Sequence, residues 1–263
     1  MNLQFDHKLA LITGSTAGIG FAIAQTLAEE GADVIVNGRT QTAVDEAIQS
    51  IEATATGKVF GFAGDLSKAD TADALIAAYP KVDILINNLG IFEPVPFLEI
   101  ADTEWQRFFD VNVLSGVRLS RLYLPHMQSQ DWGRIIFISS ESAVNIPDEM
   151  IHYGMTKSAQ ISVARGLAES LRGTGITVNS VLPGPTKSRG VITFVEQQAE
   201  ATGKTPEEME AAFFKEARPS SIIQRFADPK EVATTVAYIA SPLASATTGA
   251  PIRAEGGIIN SAY

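Results

Sequence analysis

Tyr153 and Lys157 stand four residues apart in a segment of helical period, which puts a phenol and an ammonium on one helix face. Tyr-x-x-x-Lys is common by chance. It gains weight from Ser140, which ends the β-branched run before that helix, because open parallel sheets gather their sites at the carboxyl ends of strands. A hydroxyl, a phenol and an ammonium converging there suit proton-coupled hydride transfer. The phenol can give its proton to a carbonyl oxygen as hydride arrives, and Ser140 can hold that oxygen. Lys157 can lower the phenol pKa from about 10 toward working pH, a shift of roughly three units worth about 4 kcal/mol. Ser139 competes with Ser140, but strand alternation turns it to the other side of the sheet.

A second constellation lies near the start. The run Thr13-Gly14-Ser15-Thr16-Ala17-Gly18-Ile19-Gly20 ends one β-branched stretch and opens a helical one. Glycines at a strand-to-helix turn let the backbone approach a pyrophosphate, whose charge meets the N–H groups and dipole of the helix N-terminus. The alternative is a tight loop with no ligand. The spacing is G-x-x-x-G-x-G, and no Lys-Ser/Thr pair follows, so nucleotide hydrolysis is not supported. The next strand ends Val36-Asn37-Gly38-Arg39. Arg39 suits the 2′-phosphate of NADP, where an acid would suit the ribose of NAD; otherwise it is a solvated turn residue.

These groups need a scaffold. Seven short β-branched runs, 9–13, 33–36, 59–62, 84–87, 134–139, 177–182 and 251–254, alternate with segments of helical period. That rhythm predicts an α/β fold, a doubly wound parallel seven-stranded sheet with helices on both faces. Ile19, Ile23 and Leu27 mark the first helix, which stops at Gly31. Ser67 with Asp70 reads as a capping box before a helix over 72–79, and Asp228-Pro229 with Glu231 as another helix start. Long helices are expected over 102–128 and 153–172. Residues 189–219 interrupt the rhythm and read as a lid, with Thr205-Pro206-Glu207-Glu208 opening a short helix. In it Phe194, Met209, Phe213 and Phe214 are lid core, subunit contacts or pocket wall, a rigid subunit-contact segment being the competing account of 189–219. No linker or repeat divides the chain, so 1–263 is expected to be one domain.

Composition narrows the classes. The chain has 263 residues, 45% hydrophobic, with no cysteine and a net charge of −10. Disorder, disulfide scaffolds and thiolate chemistry are excluded. With no basic cluster, nucleic acid is not the expected partner. The N-terminal segment lacks the apolar core of a signal peptide and no run approaches a membrane span, so the cytosol is the expected location and no membrane partner is expected. His7, His126 and His152 share no ligand spacing and read as structural; no catalytic metal is expected.

Taken together, these motifs resemble the short-chain dehydrogenase/reductase family in its short single-domain form, over nearly the whole chain. Thr13-Gly14 with Gly18-Ile19-Gly20 matches the family's cofactor motif, Asn87-Asn88-Leu89-Gly90 its Asn-Asn-Ala-Gly turn, and Ser140, Tyr153 and Lys157 its reacting groups. The resemblance implies a Rossmann-type fold. It makes Asn112, in Val111-Asn112-Val113, the helix Asn that holds a water in the proton relay. It brings Asp65 and Leu66 to the adenine ring, Asn88 and Gly90 to the cofactor, and Pro183, Gly184, Thr186 and Ser188 beside the nicotinamide carboxamide; Lys157 also binds the nicotinamide ribose. Gly14, Ser15, Thr16, Gly18, Ile19, Gly20 and Arg39 complete the expected cofactor set. Two departures stand out. Leu89 adds bulk where the family has Ala, and Glu141 follows Ser140 directly, although alternation is expected to turn it away.

The expected activity is an NAD(P)(H)-dependent oxidoreductase interconverting a ketone or aldehyde and an alcohol, with NADP(H) preferred and NAD(H) possible. A silent dinucleotide-binding sensor or a structural protein on the same fold is the alternative, and it predicts loss of groups that are all present. The resemblance further implies a homodimer or homotetramer and a small carbonyl or alcohol substrate, whose identity carries no readable motif.

Overall fold

The β-branched runs pair as seven parallel strands: β1 (Leu9–Ile12), β2 (Asp33–Gly38), β3 (Val59–Ala63), β4 (Ile84–Asn87), β5 (Gly133–Ile138), β6 (Ile176–Pro183) and β7 (Pro251–Ala254). Their order in the sheet is β3-β2-β1-β4-β5-β6-β7. The computed structural model describes residues 2–188, 191, 192, 199 and 202–262. Strand order reverses at β1, with Ala10 registered on Val34 of β2 and on Ile84 of β4. Connections leave β1 and β4 in opposite directions, so a crevice opens at their carboxyl ends.

Eight helices among the described residues cover the sheet: α1 (Gly18–Glu29), α2 (Gln41–Glu52), α3 (Ala69–Ala78), α4 (Asp102–Phe109), α5 (Ser115–Ser129), α6 (Ile151–Ser170), α7 (Pro206–Glu216) and α8 (Pro229–Ala240). Side-chain alternation along β1 divides the core. Ala10 and Ile12 enter one layer with Ile23 and Leu27 of α1 and Val232 and Val236 of α8. Leu11 enters the other with Leu75 of α3, Tyr123 of α5 and Ala164 of α6. β1 is therefore buried on both faces, which is why it reads as a continuous apolar run.

Three local features depart from the sequence reading. Helix α2 lies outside the sequence expectations, although Thr40 caps it by accepting from the Ala43 N–H and Val44, Ala47 and Ile51 form its buried stripe. Helix α3 starts without the Ser67–Asp70 capping box: the Asp65 carboxylate accepts from the Ser67 N–H at 3.0 Å, closing a turn that makes Lys68 the N-cap. The expected helix over 102–128 runs through a π turn, Asp110–Leu114, where the Ser115 N–H reaches back to the Asp110 carbonyl. Such wide turns cluster at functional sites. The capping boxes at Thr205 with Glu208 and at Asp228 with Glu231 are present.

Candidate active site

The Gly-rich turn is built to leave donors free. Gly14 and Gly18 adopt φ of +61° and +57°, the left-handed region where a side chain is strained. A Cβ on Gly20 would run into the Asn88 amide. No side chain caps α1, and no acid stands in its first turn, in contrast to the boxed starts of α7 and α8. The N–H groups of that turn therefore suit an anion. A dinucleotide pyrophosphate fits this cradle.

Neighbouring residues hold the turn in shape. The Ser15 hydroxyl donates to the Ile12 carbonyl at 2.7 Å and accepts from the Asn37 N–H at 2.9 Å, so its polar groups are used within the protein. Asn37, buried and missed in the sequence, accepts from the Gly14 N–H at 3.1 Å. Asn88 donates its side-chain amide to the carbonyls of Thr13 and Gly14 at 2.9 and 3.0 Å. Thr13 Oγ1 in turn accepts from the N–H groups of Asn88 and Leu89 at 2.9 and 2.8 Å, tying the end of β4 to β1. Leu89 is accommodated by packing toward the core layer that holds Leu11.

The two ends of the expected cofactor set flank this turn. At β2, a side chain on Gly38 would meet the Thr16 methyl group, and Arg39 beyond it is exposed. Burial opposes the charge on Asp65, but hydrogen bonds from Ser67 and the charges of Lys68 and Arg39 outweigh it and hold the carboxyl below its usual range. Leu66 beside it is buried. After β6, the Thr186 hydroxyl donates to the Gly184 carbonyl at 2.9 Å. The segment then returns over the turn, leaving the Ser188 Cβ 3.6 Å from where a Gly18 Cβ would stand.

At the end of β5, Ser140 caps a short 3₁₀ turn, its hydroxyl accepting from the Ser142 N–H at 3.1 Å. Ser140 also stands near enough to the phenol of Tyr153 to act on it, lowering its pKa. The ring of Phe92 stands edge-on to Tyr153 with centroids 6.3 Å apart. Ser139 faces elsewhere, donating to the main-chain carbonyl of Lys157 at 2.8 Å. One turn on from Tyr153, Lys157 Nζ donates to the Ile138 carbonyl at 2.9 Å and to Gln160 Oε1 at 3.2 Å. Gly90 closes the gap from the other side: a Cβ there would lie 3.4 Å from both Lys157 Nζ and Asn112 Oδ1. Asn112 is buried in the π turn, its side chain accepting from the Ile91 N–H and donating to the Ile91 carbonyl and to Thr156. Its main-chain carbonyl accepts from Gln160.

Two expectations are corrected here. Lys157 is expected to lower the phenol, yet Tyr153 is pushed up to about 12: desolvation raises it, Ser140 only partly offsets this, and the charge of Glu141 adds to it. The reason lies in Lys157, which burial pushes down to about 7 and whose donors go to Ile138 and Gln160. Glu141 is not turned away from the site, since its charge is felt at Tyr153. The chain leaves β5 into the 3₁₀ turn, so strand alternation no longer applies. The residue is 3% exposed, with Oε1 accepting from Arg218 Nε at 3.1 Å and Oε2 unpartnered. Burial raises its pKa against the opposing effect of Arg218.

His152 packs among Trp105 and Phe108, with both ring nitrogens buried and unpartnered. Among the described residues, no group of three or more His, Asp or Glu could hold a metal ion, and no helix is long and apolar enough to cross a membrane. In the expected lid, Phe213 and Phe214 of α7 pack on Phe226 with centroids 5.1 Å apart; Phe194 lies outside the described residues.

A doubly wound sheet with an anion cradle at its switch point and a Ser–Tyr–Lys cluster at the next strand end defines a dinucleotide-dependent dehydrogenase class. The chain belongs to the short-chain dehydrogenase family, whose model matches residues 8–199, and is an NAD(P)-dependent oxidoreductase. It is 48% identical over 264 residues to the uncharacterized oxidoreductase YvaG of Bacillus subtilis, covering 100% of both. Dehydrogenase/reductase SDR family member 4 of Caenorhabditis elegans is 35% identical, covering 97% of this chain and 96% of that protein. Among solved structures, L-sorbose reductase from Gluconobacter frateurii, complexed with NADPH and L-sorbose, superposes with a TM-score of 0.93 at 28% identity, covering 99% of this chain and 100% of that one. An NADP-bound 3-oxoacyl (acyl-carrier-protein) reductase from Agrobacterium tumefaciens gives 0.87 at 28% identity, covering 97% and 96%.

Proposed function

We propose that this chain is an NADP(H)-preferring reductase and dehydrogenase that interconverts a ketone or aldehyde and its alcohol, with Tyr153 as proton donor and acceptor. The observation that carries this reading is the Ser140 hydroxyl beside the Tyr153 phenol, acting on its pKa, with Lys157 one helical turn away. The nicotinamide cofactor, when bound, supplies or takes the hydride. Ser140 holds the substrate oxygen, Tyr153 gives it a proton during reduction, and Lys157 binds the nicotinamide ribose. Asn112 orders the proton path behind Lys157.

Cofactor contacts come from Gly14, Thr16, Gly18, Ile19 and Gly20 at the pyrophosphate, with Ser15 and Asn88 shaping the turn. Asp65 and Leu66 bound the adenine, Arg39 meets the 2′-phosphate, and Gly90, Pro183, Gly184, Thr186 and Ser188 border the nicotinamide half. The NADPH and NADP found in the similar reductases support the preference. The same reading makes the protein a cytoplasmic, single-domain homodimer or homotetramer with residues 189–219 as its lid. Light scattering that gives only a monomer mass would exclude the assembly. Hydrogen exchange over 202–219 that stays slow without cofactor would exclude the lid. The decisive experiment is a panel of ketones, ketoses among them, and alcohols, assayed with NADPH, NADH and their oxidised forms. Turnover of at least one pair by the wild type and its loss in Tyr153→Phe is expected; no turnover across the panel would favour the silent sensor.

A further inference from the structure

Gln160 has no part in the chemistry above, yet it is 1% exposed and both ends of its carboxamide are engaged inside the site. Oε1 accepts from Lys157 Nζ at 3.2 Å, and Nε2 donates to the main-chain carbonyl of Asn112 at 2.5 Å. Lys157 and Gln160 are three residues apart on α6 and so share a helix face. Asn112 is brought to them by the π turn between α4 and α5.

An ammonium has three N–H donors. Ile138 and Gln160 take two of them. One is left for the side of the site where the Tyr153 ring stands, its centroid 5.5 Å from Nζ. We propose that Gln160 is a positioning residue: by spanning from the Lys157 ammonium to the Asn112 carbonyl, it sets the direction in which Lys157 offers its remaining N–H and sustains the charged form of that lysine. The inference rests on the Ser140–Tyr153–Lys157 reading.

The groups facing Lys157 explain why one dipole carries weight. They are the Ile138 carbonyl of β5, the amide and carbonyl of Asn112, the backbone at Gly90 after β4, and the phenol and Gln160 of its own helix. All are neutral at neutral pH. No carboxylate among the described residues adds its field, and desolvation is the influence that acts on the lysine. A carboxamide oxygen aimed at the ammonium opposes that desolvation. It also differs in kind from a proton-conducting link. A carboxamide orients both of its partners, but it hands on a proton only through its disfavoured imidic acid form.

Unliganded protein carrying isotope-labelled lysine, titrated by NMR with Lys157→Arg to assign the signal, reads the effect directly. Gln160→Glu replaces a dipole with an anion and should move the Lys157 titration up by about one unit; Gln160→Leu should move it down by a similar amount. In turnover, Gln160→Leu should lower kcat about tenfold while the carbonyl KM stays within about twofold, the signature of an interaction used in the transition state. The near-isosteric Gln160→Glu carries the test if Gln160→Leu does not fold. Opposite shifts in the two variants, or the upward shift where Gln160→Glu alone folds, support the inference. Titrations within about 0.3 unit of wild type, or shifts in one direction for both, overturn it. The titration needs no substrate, so its outcome is independent of the panel with Tyr153→Phe, which decides the underlying activity.

Discussion

Lys157 Nζ donates to the main-chain carbonyl of Ile138 at 2.9 Å, which moors the lysine to β5 two residues before Ser140. The lysine is thus anchored at the end of β5, and Ser140 follows two residues on as the cap of the 3₁₀ turn.

Burial of that lysine has a stability signature. Its folded value is pushed from 10.5 down to about 7. Between those two values the unfolded chain binds more protons than the folded one, so stability should climb as pH rises through the window. Lys157→Met should remove this climb. The measurement is the difference in Tm between wild type and variant at pH values spanning the window; a difference that does not change with pH defeats the prediction.

Tyr153 is a proton donor at neutral pH in the unliganded protein, because desolvation pushes its phenol up to about 12. Alcohol oxidation requires the phenolate, so its rate should rise with pH from neutral into the alkaline range, while reduction should be favoured toward neutral pH. Tyr153→Phe should cut turnover by roughly two to four decades and leave the NADPH dissociation constant near normal. Near wild-type reduction by the variant would sink the acid and base assignment.

Arg39 is exposed beside Gly38 and near enough to Asp65 to help hold that carboxyl ionised. Arg39→Asp should invert cofactor choice, weakening NADPH through repulsion and sparing NADH. Dissociation constants for both cofactors in both proteins decide it, and a wild type that already favours NADH would count against the reading of β2.

The Arg218–Glu141 pair links the segment after α7 to the turn after β5, with 13% and 4% of the side chains exposed. Arg218→Ala would leave a buried carboxylate with no cation, a change that typically costs about 3–5 kcal/mol. The sign with pH follows from Glu141, whose folded value, already raised by burial, would rise further without Arg218. The deficit should be full above that raised value and fade as pH falls toward the unfolded value of 4.5. Thermal melts of both proteins across acid pH test this; an equal deficit at every pH would mean that the pair acts through packing alone.

What was legible in the sequence is what contiguous residues encode. Strand runs, the Gly-rich turn and the two capping boxes depend on neighbours a few positions apart, so pattern and turn chemistry were enough to locate them. The Ser140, Tyr153 and Lys157 positions were legible for the same reason, since a strand end and a helix face are local properties. Gln160 stood within reach of that logic, three residues beyond Lys157, but nothing local announced the carbonyl it would meet. Tertiary structure decided the rest. Glu141 finds Arg218 across 77 residues, and Asn37 finds Gly14 across 23. Desolvation, which reverses the expected direction for Tyr153 and depresses Lys157, is a property of everything packed around a group. Sequence spacing can set which side chains share a face. Only the closed core determines how dry that face is, and dryness sets the charge each group carries.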